Sequence, residues 1–335
     1  MTKMVQALPE VTAAEREAII ASPRTISAHQ ALMTQLPAMQ ALEVGGSTSV
    51  ERLPTRFNVA AWNVERCLYP EESADLLAQH SPSIVLLSEM DSGMARTGQR
   101  NTTAEIAAKL GMRYAFGVEF YEMDLGGPIE RALCVDDHNQ LGWHGNAILS
   151  SVPFTDLALI HLDNQGRWFA TDGGRTSDPN QPRVGGRMAI AAMVETESGQ
   201  VCVASTHLES NADAAYRHEQ YDHLLARVED FAAGAPILIG GDLNTGNHLP
   251  PDYAWQSETL FQLAEDRGYS WELTPPGITT RASSLSPAPS KEMKLDWFCA
   301  RDIEGDTGSV VPALGRDGRA LSDHECIVCN VGLPS

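Results

Sequence analysis

Six short segments close apolar runs with residues that can move protons or hold a cation. In chain order they are Ala60-Ala61-Trp62-Asn63-Val64, Ile84-Val85-Leu86-Leu87-Ser88-Glu89 and Ser205-Thr206-His207-Leu208-Glu209. Then come Ile239-Gly240-Gly241-Asp242-Leu243-Asn244, Lys294-Leu295-Asp296-Trp297 and Leu321-Ser322-Asp323-His324-Glu325. An apolar run ending in a carboxylate, amide or imidazole places that group at a strand end, where ligands collect in α/β folds. The donors are oxygen-rich and lack thiolates, a set that suits a hard cation such as Mg2+ or Mn2+. Hydrolysis of a phosphate ester needs a cation to neutralise phosphoryl oxygens, a base to activate water, and a donor for the leaving group. Glu89 and Asp323 can serve the first need, and His324, His207, Asp242 and Asn244 can share the others. An Asp beside a His fixes the tautomer and orientation of the imidazole. In-line attack on phosphorus is mostly positioning and charge neutralisation, so no covalent nucleophile is required, and no Gly-x-Ser-x-Gly elbow is present.

The elements that must position these groups are short and alternate in type. Strands are predicted over 57–62, 84–87, 114–118, 147–149, 188–194, 201–205, 237–239, 295–299 and 326–331. Helices are predicted over 71–79, 103–110, 212–232 and 257–266. Many strands are separated by hairpin-length gaps, which favours a mixed-sheet α/β domain over a purely parallel one. Residues 1–50 read as an N-terminal helical extension and linker. Thr12-Ala13-Ala14-Glu15 is a capping box, Pro37 breaks a second helical stretch, and Gly45-Gly46-Ser47-Thr48-Ser49 reads as the linker. Residues 56–332 read as the catalytic domain. Stretches 123–145, 167–186 and 274–294 lack clear periodicity, and loops of that length in a compact domain are usually functional.

Composition narrows the class. The 335 residues carry 24 Lys and Arg against 44 Asp and Glu, a formal charge of −20. That charge disfavours sequence-blind adhesion to nucleic acid or an anionic membrane, although a bound cation can reverse the field locally. No apolar run is long enough for a spanning helix, and Met1–Glu17 lacks the apolar core of a secretion signal, so the cytoplasm is the default location. The 6 cysteines are scattered through apolar runs and read as buried free thiols; Cys326 and Cys329 have no partner pair at zinc-ligand spacing. His218 and His223 are five residues apart, about 140° around a helix, which does not suit one zinc.

The six segments, in this order, resemble the endonuclease/exonuclease/phosphatase superfamily of DNase I-like phosphoesterases. The resemblance runs from about Phe57 to Val331, and Gly145-Asn146-Ala147-Ile148-Leu149-Ser150 adds a seventh match. It implies a four-layer α/β sandwich, with two mixed sheets packed face to face and helices outside, and metal-dependent hydrolysis of a phosphoester. It implies that Glu89 is the principal metal ligand, that Asn63 sits at the metal and phosphate end of the first strand, and that Asp323 is a further metal-site carboxylate. It implies that Asp242 orients or activates water while Asn244 contacts the phosphate. His324 would face the scissile phosphate, oriented by Asp296, and His207 would be a second histidine, supported by a glutamate for which Glu119 is the candidate. Arg187 is a candidate phosphate contact, because a guanidinium fork matches phosphate oxygens.

The expected activity is therefore a Mg2+- or Mn2+-dependent phosphodiesterase acting on a small molecule or a lipid head group. A nuclease is the alternative, with Arg167, Arg175, Arg183 and Arg187 giving one loop a local basic bias. A non-catalytic binding module on the same fold is the alternative of another class. It would require loss of metal or base residues, and none is missing. Trp143, Trp168 and Phe169 could line an apolar pocket, stack on a base, or anchor loops. Substrate choice and oligomeric state are not set by any motif.

Overall fold

The computed structural model describes residues 2–172, 183–287 and 291–334. The chain begins with β1 (Lys3–Val5), α1 (Ala13–Ala21), α2 (Ile26–Gln35) and β2 (Ala41–Gly46). It continues through β3 (Arg56–Arg66), α3 (Pro70–Ala78), β4 (Ile84–Ser92), α4 (Thr102–Leu110), β5 (Arg113–Glu122), α5 (Pro128–Arg131), β6 (Trp143–Ser150) and β7 (Phe154–His161). Then come β8 (Arg183–Gly185), β9 (Met188–Thr196), β10 (Gly199–His207), α6 (Ala214–Ala232) and β11 (Ile237–Asp242). The chain ends with α7 (Leu260–Asp266), β12 (Asp296–Arg301), β13 (Glu304–Val311) and β14 (Cys326–Gly332).

Two sheets form. The larger has the order β1-β2-β5-β6-β4-β3-β14-β13, with β8 also on β5; the smaller has the order β12-β11-β10-β9-β7. Both are mixed, as the hairpin-length gaps imply: β3 pairs parallel with β4 and β10 with β11, while most other neighbours are antiparallel. Alternate residues on facing strands interlock between the sheets, including Leu86, Ile148, Met188, Ile190, Val203, Leu238 and Phe298. The outer face of the larger sheet packs Ile19, Met33, Leu77 and Ile106 from α1–α4. The outer face of the smaller sheet packs Tyr221, Leu224, Val228 and Leu260 from α6 and α7. The result is the four-layer sandwich.

Glycine is needed where the sheets approach closely. A Cβ on Gly117 of β5 would lie 2.6 Å from Met188 Cε and 2.8 Å from Leu42 Cδ2. The N-terminal segment is stitched into the large sheet. Thr12 and Glu15 cap α1 as a reciprocal box, and α2 stops before Pro37. Gly45-Gly46, read from sequence as a linker, instead closes β2, paired antiparallel with β5. Gly45 lies under the Tyr114 ring, where a Cβ would meet Cε1 at 2.6 Å. No helix among the described residues is long and apolar enough to cross a membrane.

Candidate active site

Register does most of the assembly. In the smaller sheet His207 of β10 is paired with Asp242 of β11, and Asp242 with Asp296 of β12. Residues paired across strands present their side chains on the same face, so three of the predicted groups form one row. The opposite wall is the larger sheet, where Asn63 ends the regular pairing of β3 with β4. The ladder slips between Asn63 and Arg66, and again between Leu87 and Met90 on the β4–β6 side. Such bulges re-aim side chains. Glu89 has φ +59, and Glu65, Arg66 and Cys67 stand at +45, +72 and +56 in succession. Left-handed backbone at non-glycine residues costs roughly 1–2 kcal/mol each, and it concentrates where side chains must be held for a purpose.

Gly241 explains why the motif before Asp242 is glycine-rich. Its φ is +150, and a Cβ would lie 2.0 Å from the Thr206 carbonyl oxygen. Asn244 closes the same turn at φ +49, donating its backbone N–H to Asp242 Oδ1 at 2.8 Å and its side-chain amide to the Leu208 carbonyl at 3.0 Å. His324 arrives on the loop before β14. Its carbonyl accepts from Trp62 Nε1 at 2.9 Å, and the Ser322 hydroxyl donates to the Asn63 carbonyl at 2.6 Å.

These segments converge on Asp242. Its Oδ2 accepts from Asn63 Nδ2 at 3.1 Å and lies 3.5 Å from His207 Nε2 and 3.6 Å from His324 Nε2. His324 Nδ1 is 2.8 Å from Asp296 Oδ2, whose carboxylate is fully buried. His207 Nδ1 is 3.3 Å from Glu119 Oε2, so the structure brings Glu119 to the second histidine. Arg187 Nη1 donates to Glu119 Oε1 and lies 2.8 Å from His207 Nδ1, while its Nε is 3.4 Å from Glu209 Oε2. Arg187 lines the cleft, but its charge is already met by two buried glutamates.

The charges follow from these contacts. Burial by itself would lower the pKa of His324, but Asp296 and then Asp242 hold it well above the ordinary imidazole value. Burial and the nearby Asp296 raise Asp242, against the pull of both histidines. Burial would raise Glu119 too, yet Arg187 and His207 bring it down to about 2. Glu89 is likewise opposed by burial but held well below the carboxylate range by Arg66, His207, His144 and His324. Burial and then Asp323 lift Glu65 to about 8. Burial also raises Asp323, with Glu89 adding to the effect.

A cation would find its donors at the mouth of this cleft. Glu89 and Asp323 are part-exposed where Asn63, Asp242 and Asp296 are buried, and both border the cavity. Asn63 Nδ2 steadies Glu89 Oε1 at 3.2 Å, while its Oδ1 accepts from the Glu65 N–H at 3.0 Å. Asn63 therefore holds the Glu89 carboxylate through its amide N–H2. An ionised Glu89 beside Asp323, with no thiolate lining the cavity among the described residues, fits a hard divalent ion. Asp242, Asp296 and His324 also bring three ligand atoms within 4.8 Å of one another. Those groups are already engaged among themselves, with the His324 Nδ1 taken by Asp296.

The main cleft has a volume of about 460 Å3, and His207, Asp242, Asn244, Asp323, His324 and Glu89 all face it. Sequence reasoning missed Arg281 and Lys291 on its wall, Glu209 behind Arg187, and the pair Glu65 and Arg66. Arg66 bonds to Glu89 and, through Nε at 3.2 Å, to Glu130. The signal was present, since Glu65-Arg66 directly follows the apolar run that ends in Asn63-Val64. The aromatic candidates resolve differently. Trp143 and Phe169 are core residues, and Trp168 Nε1 donates to Glu209 Oε2 at 2.9 Å, so they anchor the loops. Arg175 lies outside the described residues.

The fold recurs in solved structures at low identity. An endonuclease/exonuclease/phosphatase from Beutenbergia cavernae DSM 12333 matches with a TM-score of 0.57 and 21% identity, covering 84% of this chain and 72% of that one. The human Nocturnin catalytic domain with bound sulfate anion matches at 0.54 and 18%, covering 89% and 98%. The D. rerio TDP2 complexed with single strand DNA product matches at 0.50 and 16%, covering 83% and 99%. No curated protein sequence matches significantly. The sequence model of the Endonuclease/Exonuclease/phosphatase family matches residues 60–324, the span that carries the six motif segments but for Glu325, and the chain belongs to that family.

Proposed function

We propose that the chain is a Mg2+- or Mn2+-dependent phosphodiesterase that cleaves a small-molecule or lipid head-group diester by in-line attack of water. Members of the family are metal-dependent phosphoester hydrolases. The observation that carries the reading is the convergence of both imidazole Nε2 atoms on Asp242 Oδ2, in the cleft that Glu89 also lines.

Glu89 and Asp323 would hold the cation, steadied by Asn63. When bound, the cation neutralises phosphoryl oxygens and orients the ester. Asp242, raised in pKa by burial and Asp296, accepts a proton from the attacking water. Asn63 and the Asn244 N–H keep the Asp242 carboxylate aimed into the cleft. His324, kept protonated by Asp296 and Asp242, offers Nε2–H to the charge that builds on the phosphoryl oxygens. His207, fixed through Nδ1 by Glu119, is placed to return a proton to the leaving oxygen. Asn244 would contact the phosphate from the turn after β11, with Arg187 adding field behind His207.

The cleft volume of about 460 Å3 suits a small ligand, and the formal charge of −20 opposes a polyanion. Arg281 and Lys291 on the wall favour the nuclease as the second reading. One experiment separates them: hydrolysis of bis(p-nitrophenyl) phosphate, p-nitrophenyl phosphate and supercoiled plasmid with Mg2+ or Mn2+, an EDTA control, and Glu89→Gln alongside. Metal-dependent turnover of the small diester with intact plasmid supports the proposal. Plasmid nicking that the variant loses puts the nuclease first. No hydrolysis with undiminished metal binding points to the binding module.

A further inference from the structure

The wall behind His207 is braced from a direction that the motif segments do not supply. The short strand β8 pairs along one edge with Phe120, Tyr121 and Glu122 of β5. Its other side meets α2. The buried His29 of that helix places Nε2 3.0 Å from the Gly185 carbonyl oxygen and 3.1 Å from the Gly185 nitrogen. Burial lowers the pKa of this imidazole, which favours the neutral ring. Either neutral tautomer bonds the same residue, one by donating to the carbonyl and the other by accepting from the N–H. Two residues on, Arg187 turns into the cleft. The Gly186 N–H donates to the Glu119 carbonyl at 2.9 Å, and the Arg187 carbonyl accepts from the Leu162 N–H at 2.8 Å. Arg187 Nη1 then lies 2.8 and 3.0 Å from the two ring nitrogens of His207, so that ring cannot swing without displacing the guanidinium. The same N-terminal arm grips the segment that precedes β8. The Ile26 N–H donates to Asp172 Oδ1 at 3.0 Å, the Thr171 N–H donates to the Arg24 carbonyl at 2.9 Å, and the Arg24 guanidinium lies 4.5 Å over the Phe169 ring. His29 precedes residue 60, where the family match begins, so the brace lies outside the matched span.

We propose that His29 is a positioning residue for the reaction: by fixing Gly185 it fixes Arg187, and through Arg187 it fixes the His207 ring that hands a proton to the leaving oxygen. The inference rests on the phosphodiesterase reading and deepens it. In that reaction the water oxygen bonds to phosphorus and its proton passes to Asp242. The P–O bond to the leaving group breaks, its electron pair stays on the departing oxygen, and His207 supplies the proton which that oxygen takes up. A nitrophenolate departs readily as the anion and depends little on that proton. A phenolate is a more basic leaving group on the same ring and depends on it more. Loosening His29 therefore slows a phenyl ester more than a nitrophenyl ester, whereas simple loss of folded protein slows both equally.

The test compares kcat/KM for bis(p-nitrophenyl) phosphate and diphenyl phosphate in the full chain with Mg2+ or Mn2+. His29→Phe keeps a ring beside Phe169 but cannot bond Gly185, and His29→Ala gives up the ring as well. Each should raise the nitrophenyl-to-phenyl ratio by about tenfold or more, because a displaced proton donor loses much of a contribution of about 10^2–10^4. His29→Gln, whose amide reaches the place of Nε2 and can donate or accept there, should bring the ratio to within about twofold of the parent. His207→Ala should itself raise the ratio, and adding His29→Phe to it should raise the ratio no further. The ratio does not depend on how much protein folds, so a poorly folding variant still reports. A ratio unmoved by both His29→Phe and His29→Ala overturns the proposal, as does a further rise in the double variant or a failure of His29→Gln to restore the parent value. A parent that hydrolyses only the nitrophenyl ester delivers no proton for His29 to position, which also overturns it. Hydrolysis of neither ester by the parent overturns the phosphodiesterase reading first, and this proposal with it.

Discussion

Asp296→Asn tests the proton-handling row most directly. The wild-type carboxylate is fully buried, accepts from His324 Nδ1 at 2.8 Å through Oδ2, and leaves Oδ1 without a partner. An amide of the same shape has no good orientation. Turned one way, its NH2 faces Nδ1 and forces the imidazole proton onto Nε2 in the neutral form. Turned the other way, the NH2 occupies the place of Oδ1, where no acceptor waits, and a buried unpaired donor costs about 1–3 kcal/mol. Either way His324 loses the first of the two carboxylates that keep it charged, and Asp242 loses one source of its raised basicity. The expected fall in kcat/KM on bis(p-nitrophenyl) phosphate is on the order of 10^3 or more, approaching the ~10^4 seen when the carboxylate behind a catalytic histidine is amidated. A separate readout is stability. The folded-state pKa of His324 lies above its unfolded value, so its contribution is fully present below about pH 6.5 and is lost as pH rises through the folded value. The variant should therefore be less stable by on the order of 2–4 kcal/mol near pH 6, and the deficit should shrink at alkaline pH. Calorimetric Tm across pH and a pH–rate profile measure the two arms. Activity within tenfold of the parent, with the basic limb of the profile unmoved, would refute the assignment of Asp296 and His324 as a working pair.

Four further outcomes follow from particular contacts. Glu89→Gln should abolish turnover and weaken Mg2+ or Mn2+ binding in a calorimetric titration while leaving the circular dichroism spectrum intact; retained activity would sink the cation-site assignment. Glu119, depressed to about 2 by Arg187 and His207, contributes stability that is present above the ordinary value of 4.5 and lost as pH falls toward 2. In Glu119→Gln that part of the acid destabilisation should vanish from urea titrations taken at successive pH values. Gly241→Ala should lower stability by about 3 kcal/mol or more, because a Cβ there meets the Thr206 carbonyl at 2.0 Å on a φ of +150; an unchanged Tm would refute that account. A thiol reagent should label Cys134 alone in the native protein and all 6 cysteines after denaturation, since the other five are buried.

Legibility in the sequence followed burial. The clearest motif segments are buried strands that stop at a polar residue, so the apolar run and its end are both visible, as in β10, which ends at His207, and β11, where Ile237–Asp242 is buried throughout. Strands without that contrast were invisible. β13, Glu304–Val311, is an exposed edge strand of mostly polar and glycine residues, and β7 alternates only weakly. Gly45 and Gly46 signal a linker locally, yet they close a strand because the Tyr114 ring crosses above Gly45. Glu65 and Arg66 were missed for a related reason. A charged pair at the end of a strand normally faces water, and only the run of left-handed residues turns this one into the cleft.

The sequence by itself determined which chemical groups the protein owns and that they stand in or beside strands, because such places are marked by the switch from apolar to polar residues over a few neighbouring positions. It also determined that the sheets are mixed. Only the tertiary structure decided that His207, Asp242 and Asp296 share one row, since that depends on the register of three strands joined through long connections. It alone decided that Arg187 is clamped between Glu119 and Glu209, which lie far apart in the chain and meet only after both sheets pack. A second, acid-walled lobe beside the main cleft likewise exists only in three dimensions, assembled from the end of β3, Glu89 of β4, the α5 segment and the loops before β12 and β14. Local residue patterns record what each segment buries, whereas the field inside a cleft is summed over groups that no local pattern connects.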